Sequence, residues 1–494
     1  MLQAPIRRPA AVLLVMQALC WLATSPALAD EPAPPDGSGD PGLYVVVEAT
    51  QRPLDALLIL PPVCQTKKAD CAMVEQVLRN DARLSGFVRS LSGPASIAKT
   101  QLPNFAAKPG AIAAAGGTYA LATLLRPAKE PGYVELLVDL TGADGKSYAL
   151  GDYRQQMAPA ATGLRALAHV TMNAVQGALT GVYGTFDSVI YYSAPAQGCN
   201  RCIWMMDADG HNRRVLVSDP GIHMFPVQLQ DGGLAYTSFR TGMPSLFKLD
   251  AAQVMALADY TPSVAKGAKI DRKKPAPITQ RPPEDLKPFA AGPDLQFRGC
   301  AQSPRGEIVA TINDGDQADI WLLDHNGEPI KNLTNNPADD LGPSFSPDGE
   351  WLAFVSDRSG AQPQVFVMRA DGSEQKRLTW SGPYNTDPDW GPTGRLAYSG
   401  MRGTAIDVLT VTMEGRMQRL TPGQGRRSLE PTWSPDGRRV IYASNEDGKG
   451  LRLWMSSADG AVREPLDTPP GHYFTPSWQR LGGRKPRLWP NSGG

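Results

Sequence analysis

The chain has 494 residues, enough for more than one domain with a sizeable core. Its 49 basic and 49 acidic side chains cancel, so no overall field draws it to nucleic acid or anionic lipid, and a polyanion-binding role is disfavoured. Hydrophobic residues at 42% and charged residues at 20% are ordinary for a soluble globular protein.

Residues 1–29 read as a signal peptide rather than as part of the fold. Arg7 and Arg8 open it, and AAVLLVMQALCWLA is an apolar run too short to span a membrane comfortably. Ala27-Leu28-Ala29 supplies the small-x-small cleavage pattern, which predicts a mature protein that starts at Asp30 and is exported. A retained N-terminal anchor is the alternative. The next stretch, 30–42, DEPAPPDGSGDPG, holds too much Pro, Gly and Asp to bury anything and reads as a flexible tail.

Residues 43–180 have the texture of a small α/β domain. YVVVEA and LDALLIL read as strands, and ADCAMVEQVLRNDARLS carries Val74, Val77, Leu78 and Leu84 at helical spacing. TYALATLL and YVELLVDL read as strands, and ADG turns the chain into SYALGDY. An amphipathic helix over 160–180 closes the domain, and its His169 reads as packed or exposed rather than as a ligand.

Export makes the cysteines disulfide candidates. Cys64 with Cys71 closes a short loop, and Cys199 with Cys202 staples a hairpin tip. The C-x-x-C spacing has no second pair and no neighbouring His pair to complete a zinc site. Cys300 is left over and reads as a small buried hydrophobe.

After Thr180 helical spacing gives way to a repeat over 181–480. Pro304, Pro347, Pro392 and Pro435 stand 43, 45 and 43 residues apart, and residues 346–379 show four short strands per unit. This period predicts β-propeller blades built on PD40/WD40-like SPDG repeats. Six second strands can be counted: VIYYS, LAYTS, IVATI, LAFVS, LAYSG and VIYAS. The fold class is therefore mainly β, a six-bladed propeller preceded by the small α/β domain. Residues 251–290, rich in Lys and Pro, read as a loop insertion plus the outer strand of the second blade. The first blade lacks a leading strand, and the terminal fragment Tyr473–Trp478 is a leading strand with nothing after it, so the C-terminal strand is expected to close the ring. Residues 481–494 form a basic tail.

The repeated Ser-Pro-Asp-Gly is dense enough in oxygen ligands to suggest a metal loop. Pro at its second place and Gly at its fourth are what a type I turn asks for, and the same letters recur blade after blade, which favours a turn over a single active site. The sequence has no G-x-S-x-G elbow, no H-E-x-x-H and no phosphate loop, and His169, His211, His223, His325 and His472 are scattered. No enzyme activity, metal or cofactor is implied. Asp339, Asp340, Asp387, Asp389 and Glu430 fall near one mouth of the channel, where a cation or proton site and a solvated polar rim both remain open readings.

The order of signal peptide, small domain and SPDG blades resembles the TolB family of the Tol–Pal system. ALTGVYGTFDSVIYYS (178–193), RLTWSGPYNTDPDWGPTGRLAYSG (377–400) and SLEPTWSPDGRRVIYASNEDGKG (428–450) carry the resemblance. It implies a non-enzymatic periplasmic scaffold that binds a Pal-like peptidoglycan-associated lipoprotein at the channel mouth and a TolA-like inner-membrane protein through its N-terminal region. It also implies support of envelope integrity, outer-membrane constriction at division and protein import. The lipoprotein-facing positions lie just before the Pro of each leading strand. Here they are Met224 and Phe225, Leu341 and Gly342, Thr386 and Asp387, Leu429 and Glu430, and Phe474 and Thr475, with Thr386, Asp387 and Glu430 foremost. The tail at 30–42, the cysteines of the small domain and the 251–290 insertion depart from the family pattern. A propeller hydrolase and a carbohydrate- or peptide-binding propeller are the competing readings.

Overall fold

The computed structural model describes residues 46–48, 53–94, 107–160, 163–196, 198–259, 286–292, 294–360, 362–421, 423, 425–469 and 471–479. The signal peptide with its cleavage point, the 30–42 tail, most of the 251–290 insertion and the basic tail lie outside these residues.

The small domain is a mixed sheet clasped by helices on both faces. Asp55–Ile59 runs parallel to Val88–Ser92 on one side and to Tyr119–Pro127 on the other, and Tyr119–Pro127 forms a long antiparallel hairpin with Tyr133–Gly142. Alternation along Asp55–Leu60 sends Leu57 and Ile59 to one core and Leu58 and Leu60 to a second, which is why this strand is apolar throughout. Helices α1 (Lys68–Leu84) and α3 (Leu164–Thr180) cover the first face, and α2 (Pro109–Ala114) sits with the second core. The Cys64–Cys71 disulfide joins the strand end at Cys64 to the first turn of α1, whose N-cap has no side-chain hydrogen bond. Helix α3 stops at Gly181, whose φ of 76° is the left-handed cap that glycine accommodates.

Six antiparallel blades follow. The first is Val189–Ala196, Cys199–Asp207 and Arg214–Val217, completed on its inner side by the C-terminal strand Phe474–Gln479, so the ring closes with strands from both ends of the propeller. Blades three to six run from inner strands at Gln296–Gln302, Asp340–Phe345, Asn385–Trp390 and Ser428–Trp433 out to Pro329–Asn332, Lys376–Arg377, Met417–Arg419 and Arg463–Pro465. Their middle strands are buried on both faces because each face meets a neighbouring blade. Thus Val309 and Ile320 of blade three meet Leu352, Phe354 and Phe366 of blade four, and Val408 of blade five meets Tyr442 of blade six.

Among the described residues blade two has three strands, His223–Gln228, Leu234–Ser238 and Ser245–Leu249, with a bridge between Leu246 and Ala290 at its outer edge. Two expectations are corrected. The insertion begins not as a loop but as helix α4, Ala251–Asp259, because AAQVMALAD has no Gly or Pro and buries Val254 against the first two blades. The strand expected from YVVVEA is present as Val46–Glu48. It pairs in parallel with Met417–Arg419 of blade five and not with the small domain's sheet, adding to a short open edge.

The SPDG segments are turns. The amide of Gly349 donates to the Ser346 carbonyl at 2.9 Å, Ser346 Oγ bonds Asp348 Oδ1 at 2.5 Å, and Gly437 and Ser434 repeat the pattern in blade six. In blade six the turn also anchors the small domain. Asp436 accepts from Gln176 of α3 at 3.0 Å and from Arg439 at 3.3 Å. Arg439, 1% exposed, lies over Phe186 and Trp478 and donates to Thr185 Oγ1 at 2.9 Å. Helices α1 and α3 therefore sit on the seam where blades six and one meet, and their apolar faces share one core with Ile190, Tyr192, Ile441 and Leu453.

Candidate interaction site at the channel mouth

Each innermost strand faces the channel and is therefore a sheet edge. Five of the six place a Pro there, which has no N–H to offer and blunts the edge: Pro226, Pro343, Pro388, Pro431 and Pro476. Just before it every blade carries a one-residue bulge, where the pairing skips between Met224 and Val227, Arg298 and Cys300, Leu341 and Ser344, Thr386 and Asp389, Leu429 and Thr432, and Phe474 and Ser477. A bulge of this kind re-aims a side chain out of the sheet.

The bulged residue has a positive φ in all six blades: Phe225 at 53°, Gly299 at 63°, Gly342 at 62°, Asp387 at 53°, Glu430 at 53° and Thr475 at 45°. Among the described residues seven non-glycine residues have positive φ, and four of them belong to this ring. Each such residue costs about 1–3 kcal/mol unless its surroundings hold it, so a ring of them is a feature the fold maintains.

The holding groups are identifiable. Amides of the bulged residues donate to a hydroxyl on the second strand of the preceding blade: Gly299 to Thr237 at 2.9 Å, Gly342 to Thr311 at 3.2 Å, and Glu430 to Ser399 at 2.9 Å. In blade one the matching Ser193 donates its hydroxyl to the His223 carbonyl at 2.7 Å, and blade six has Ala443 at this place, and in both cases a ring member substitutes. Thr475 Oγ1 accepts from Phe225 at 3.2 Å, and the Glu430 carboxylate accepts from Thr475 at 2.6 Å.

The ring's charge is concentrated on blades five and six. Glu430 is raised to about 7, first by loss of hydration in the channel and then by repulsion from Asp387. Asp387 is also raised by desolvation, and Thr386 Oγ1 donates to it at 3.1 Å. The other acids of the expected rim do not join them. Asp340 is buried and paired with Arg358 at 2.9 Å, Asp389 accepts from the Trp433 amide at 2.7 Å, and Asp339 accepts from the Ala318 amide at 2.9 Å. Deeper in the channel a cavity of about 410 Å³ is lined by Gln228, Gln302, Ser344, Asp389, Ser477 and Gln479.

A trio elsewhere has the geometry of a metal site. Asp81, His169 and Asp209 lie together between the small domain and blade one. Their chemistry is that of ion pairs: His169 bonds Asp81 at 2.8 Å and Arg165 takes the Asp209 carboxylate at 2.7 Å. Burial opposes charging His169, but Asp81, Asp207 and Asp209 outweigh it and raise the imidazole to about 10, leaving it a cation rather than a ligand. The nearby cleft of about 920 Å³ holds several arginines, three of which are engaged internally, Arg83 with Glu464 and Arg79 with Glu75 at 2.7 Å and Arg452 with Asp447 at 2.6 Å.

Comparison with known proteins agrees with this architecture. The family described as TolB beta propeller domain matches residues 296–481. A protein TolB homolog of Chlorobium luteolum is 28% identical over 338 residues, 66% of this chain and 67% of its own length. The Tol-Pal system protein TolB of Bordetella pertussis is 30% identical over 324 residues, 64% of this chain and 65% of its own, so the chain spans about two thirds of the length of these relatives. The crystal structure of TolB from Acinetobacter baumannii shares the fold at 21% identity with a TM-score of 0.66, covering 87% of this chain and 97% of that one. Residues 296–481 match the TolB propeller family, and the chain is similar to TolB proteins over about two thirds of its length.

The TolB-like propeller brings the expected residues Phe225, Leu341, Gly342, Thr386, Asp387, Leu429, Glu430 and Thr475 to one mouth, at or beside the bulges. Sequence reasoning missed Gly299 because Cys300 stands where the other blades have Pro, although Gly299 lies 43 residues before Gly342, the repeat's own spacing. It also missed Arg201, which belongs to the third strand of blade one counted from the channel and reaches the mouth through a bulge in that strand. The cysteine candidates are bonded as Cys64–Cys71 and Cys199–Cys202, and Cys300 is free and buried, its thiol raised to about 12 by burial.

Proposed function

We propose that this chain is a non-enzymatic scaffold of the Tol–Pal system that works in the periplasm and binds a peptidoglycan-associated lipoprotein at the propeller's channel mouth. In this reading it supports envelope integrity, outer-membrane constriction at division and protein import, and a TolA-like inner-membrane protein is its second partner. The observation that carries the proposal is the ring of bulged, left-handed residues contributed by all six blades. A surface assembled from single apolar, hydroxyl and acidic groups around an opening suits recognition of a protein loop. Its titratable members, Asp387 and Glu430, have a structural use for their oxygens, which accept from Thr386 Oγ1 and from the Thr475 amide. Among the described residues no helix is long and apolar enough to cross a membrane, which agrees with a scaffold that reaches membranes through partners.

The test is site-specific photocrosslinking in living cells from position 341, which is partly exposed beside Gly342, with position 330 on the outer strand of blade three as control. The proposal expects one covalent adduct from position 341, identified by mass spectrometry as a peptidoglycan-binding lipoprotein, and none from position 330. A crosslinked lipoprotein from position 330 alone would move the interface off the mouth.

A further inference from the structure

One side chain at the mouth does not come from an innermost strand. The hairpin between Val189–Ala196 and Cys199–Asp207 pairs Cys199 with Ala196 and Cys202 with Ala194, and the register skips between the two cysteines. Asn200 and Arg201 are thus pushed out in a bulge whose two ends are joined by the Cys199–Cys202 disulfide. From this bulge Arg201 bridges in parallel to Ile222 and lays its guanidinium over the Phe474 ring at 4.0 Å. Its Nη1 donates to Met224 Sδ at 2.8 Å. Its charge also acts on Glu430, lowering that group's pKa against the larger effects of burial and Asp387. Arg201 therefore touches the leading strands of blades one and two and is felt by blade six.

We infer that Arg201 is a specificity-determining residue of the mouth for an acidic segment of the protein partner, and that the Cys199–Cys202 bulge is the device that aims it. This rests on the reading of the mouth as the partner-binding face. A guanidinium stacked on an aromatic ring directs its N–H groups outward in its own plane, where a carboxylate can be taken edge-on. Around it stand Phe474, Met224 and the exposed Ile222, so the guanidinium sits among apolar groups at the mouth. A carboxylate arriving on this side meets the cation of blade one, whereas the Asp387–Glu430 side of the ring repels it, so the two sides orient the partner. The disulfide spans the bulge at the point where the ladder skips, and Arg201 bridges from it to Ile222.

The experiment uses the oxidised full-length mature protein and the soluble domain of the same organism's peptidoglycan-associated lipoprotein, titrated by calorimetry, with thermal unfolding of each variant alongside. The variants are Arg201→Ala, Arg201→Lys, Cys199→Ala/Cys202→Ala and the triple combination. The inference expects Arg201→Ala to weaken binding at least tenfold and to flatten its dependence on salt, with Arg201→Lys intermediate because the planar stack is lost. The cysteine pair should cost a similar factor, and the triple variant no more than Arg201→Ala, since both act through one side chain. A lower melting temperature with unchanged affinity in Arg201→Ala would make the residue a staple between blades and overturn the inference. Multiplicative losses in the triple variant would overturn the role of the disulfide. If the unaltered protein fails to bind the lipoprotein domain, the reading of the mouth falls and Arg201 with it, whereas binding by the unaltered protein with no effect of Arg201→Ala rejects this inference alone.

Discussion

The Glu430 carboxylate accepts the backbone N–H of Thr475 at 2.6 Å, across the boundary where blade six meets the strand that closes the ring. The same side chain that faces the mouth as an acid also secures the last blade, at a position where the preceding blade has Ala443 and no hydroxyl to offer. Structure and proposed recognition are therefore coupled at Glu430, and substitutions there separate the two. Glu430→Gln keeps an acceptor for Thr475 and should leave the ring closed. Glu430→Arg removes the acceptor and reverses the charge, and should weaken lipoprotein binding at least tenfold while far-UV circular dichroism stays that of a folded propeller. Undiminished binding by a folded Glu430→Arg protein would remove Glu430 from the interface.

Left-handed backbone strain gives a second test. Asp387 holds a φ of 53° immediately before Pro388, a place where a side chain is disfavoured, whereas Gly342 holds 62° with no atom within 4 Å of where a Cβ would stand. Asp387→Gly should stabilise the protein by about 1 kcal/mol and weaken partner binding, and Gly342→Ala should destabilise it by about 1 kcal/mol. Urea unfolding measures both. A destabilised Asp387→Gly protein would show that the carboxylate contributes more to the fold than its conformation costs.

Glu430 also sets a pH dependence. Its value of about 7 lies above its ordinary 4.5, so between these pH values the folded state holds more proton than the unfolded state and stability falls as pH rises. Asp387, raised by burial, adds the same sign. Glu430→Gln should thus match the unaltered protein near pH 4.5 and exceed it by on the order of 1 kcal/mol at pH 8. His169 loses its contribution as pH rises from 6.5 to about 10, but it does so equally in both proteins, so their difference isolates Glu430. Parallel stability curves from pH 4.5 to 8 would contradict this assignment.

Arg439 joins the small domain to the closing seam through Asp436, Thr185, Phe186 and Trp478. Arg439→Ala leaves the buried Asp436 carboxylate without its cation and should cost about 3–5 kcal/mol. Arg369→Ala, which removes an exposed pair with Glu374, should cost less than about 1 kcal/mol. Chemical denaturation of the two variants checks the contrast.

Much of this could be read from the sequence because the repeat reports local rules. Ser-Pro-Asp-Gly turns, two-sided apolar strands such as WLAFVS and the unpaired fragment ending at Trp478 each follow from turn geometry, blade stacking and edge closure. The mouth was legible only where a Pro marked it. Gly299 lacks that mark, and Arg201 reaches the ring through a bulge in a different strand, a long-range placement that no local pattern encodes. His169 looked like an ordinary helical residue because its partners, Asp81 and Asp207, are brought to it by the packing of α1 and blade one on α3. The pairing of Val46–Glu48 with blade five depends on which edge is left open, which the strand's own residues do not state.

The proposed role of the ring of bulged residues as the partner-binding face is decided by calorimetric titration of the soluble domain of the organism's own peptidoglycan-associated lipoprotein into the unaltered protein and into a folded Glu430→Arg variant. Saturable one-to-one binding is expected for the first and at least tenfold weaker binding for the second. Equal affinity for the two proteins, or no binding to either, would contradict that role.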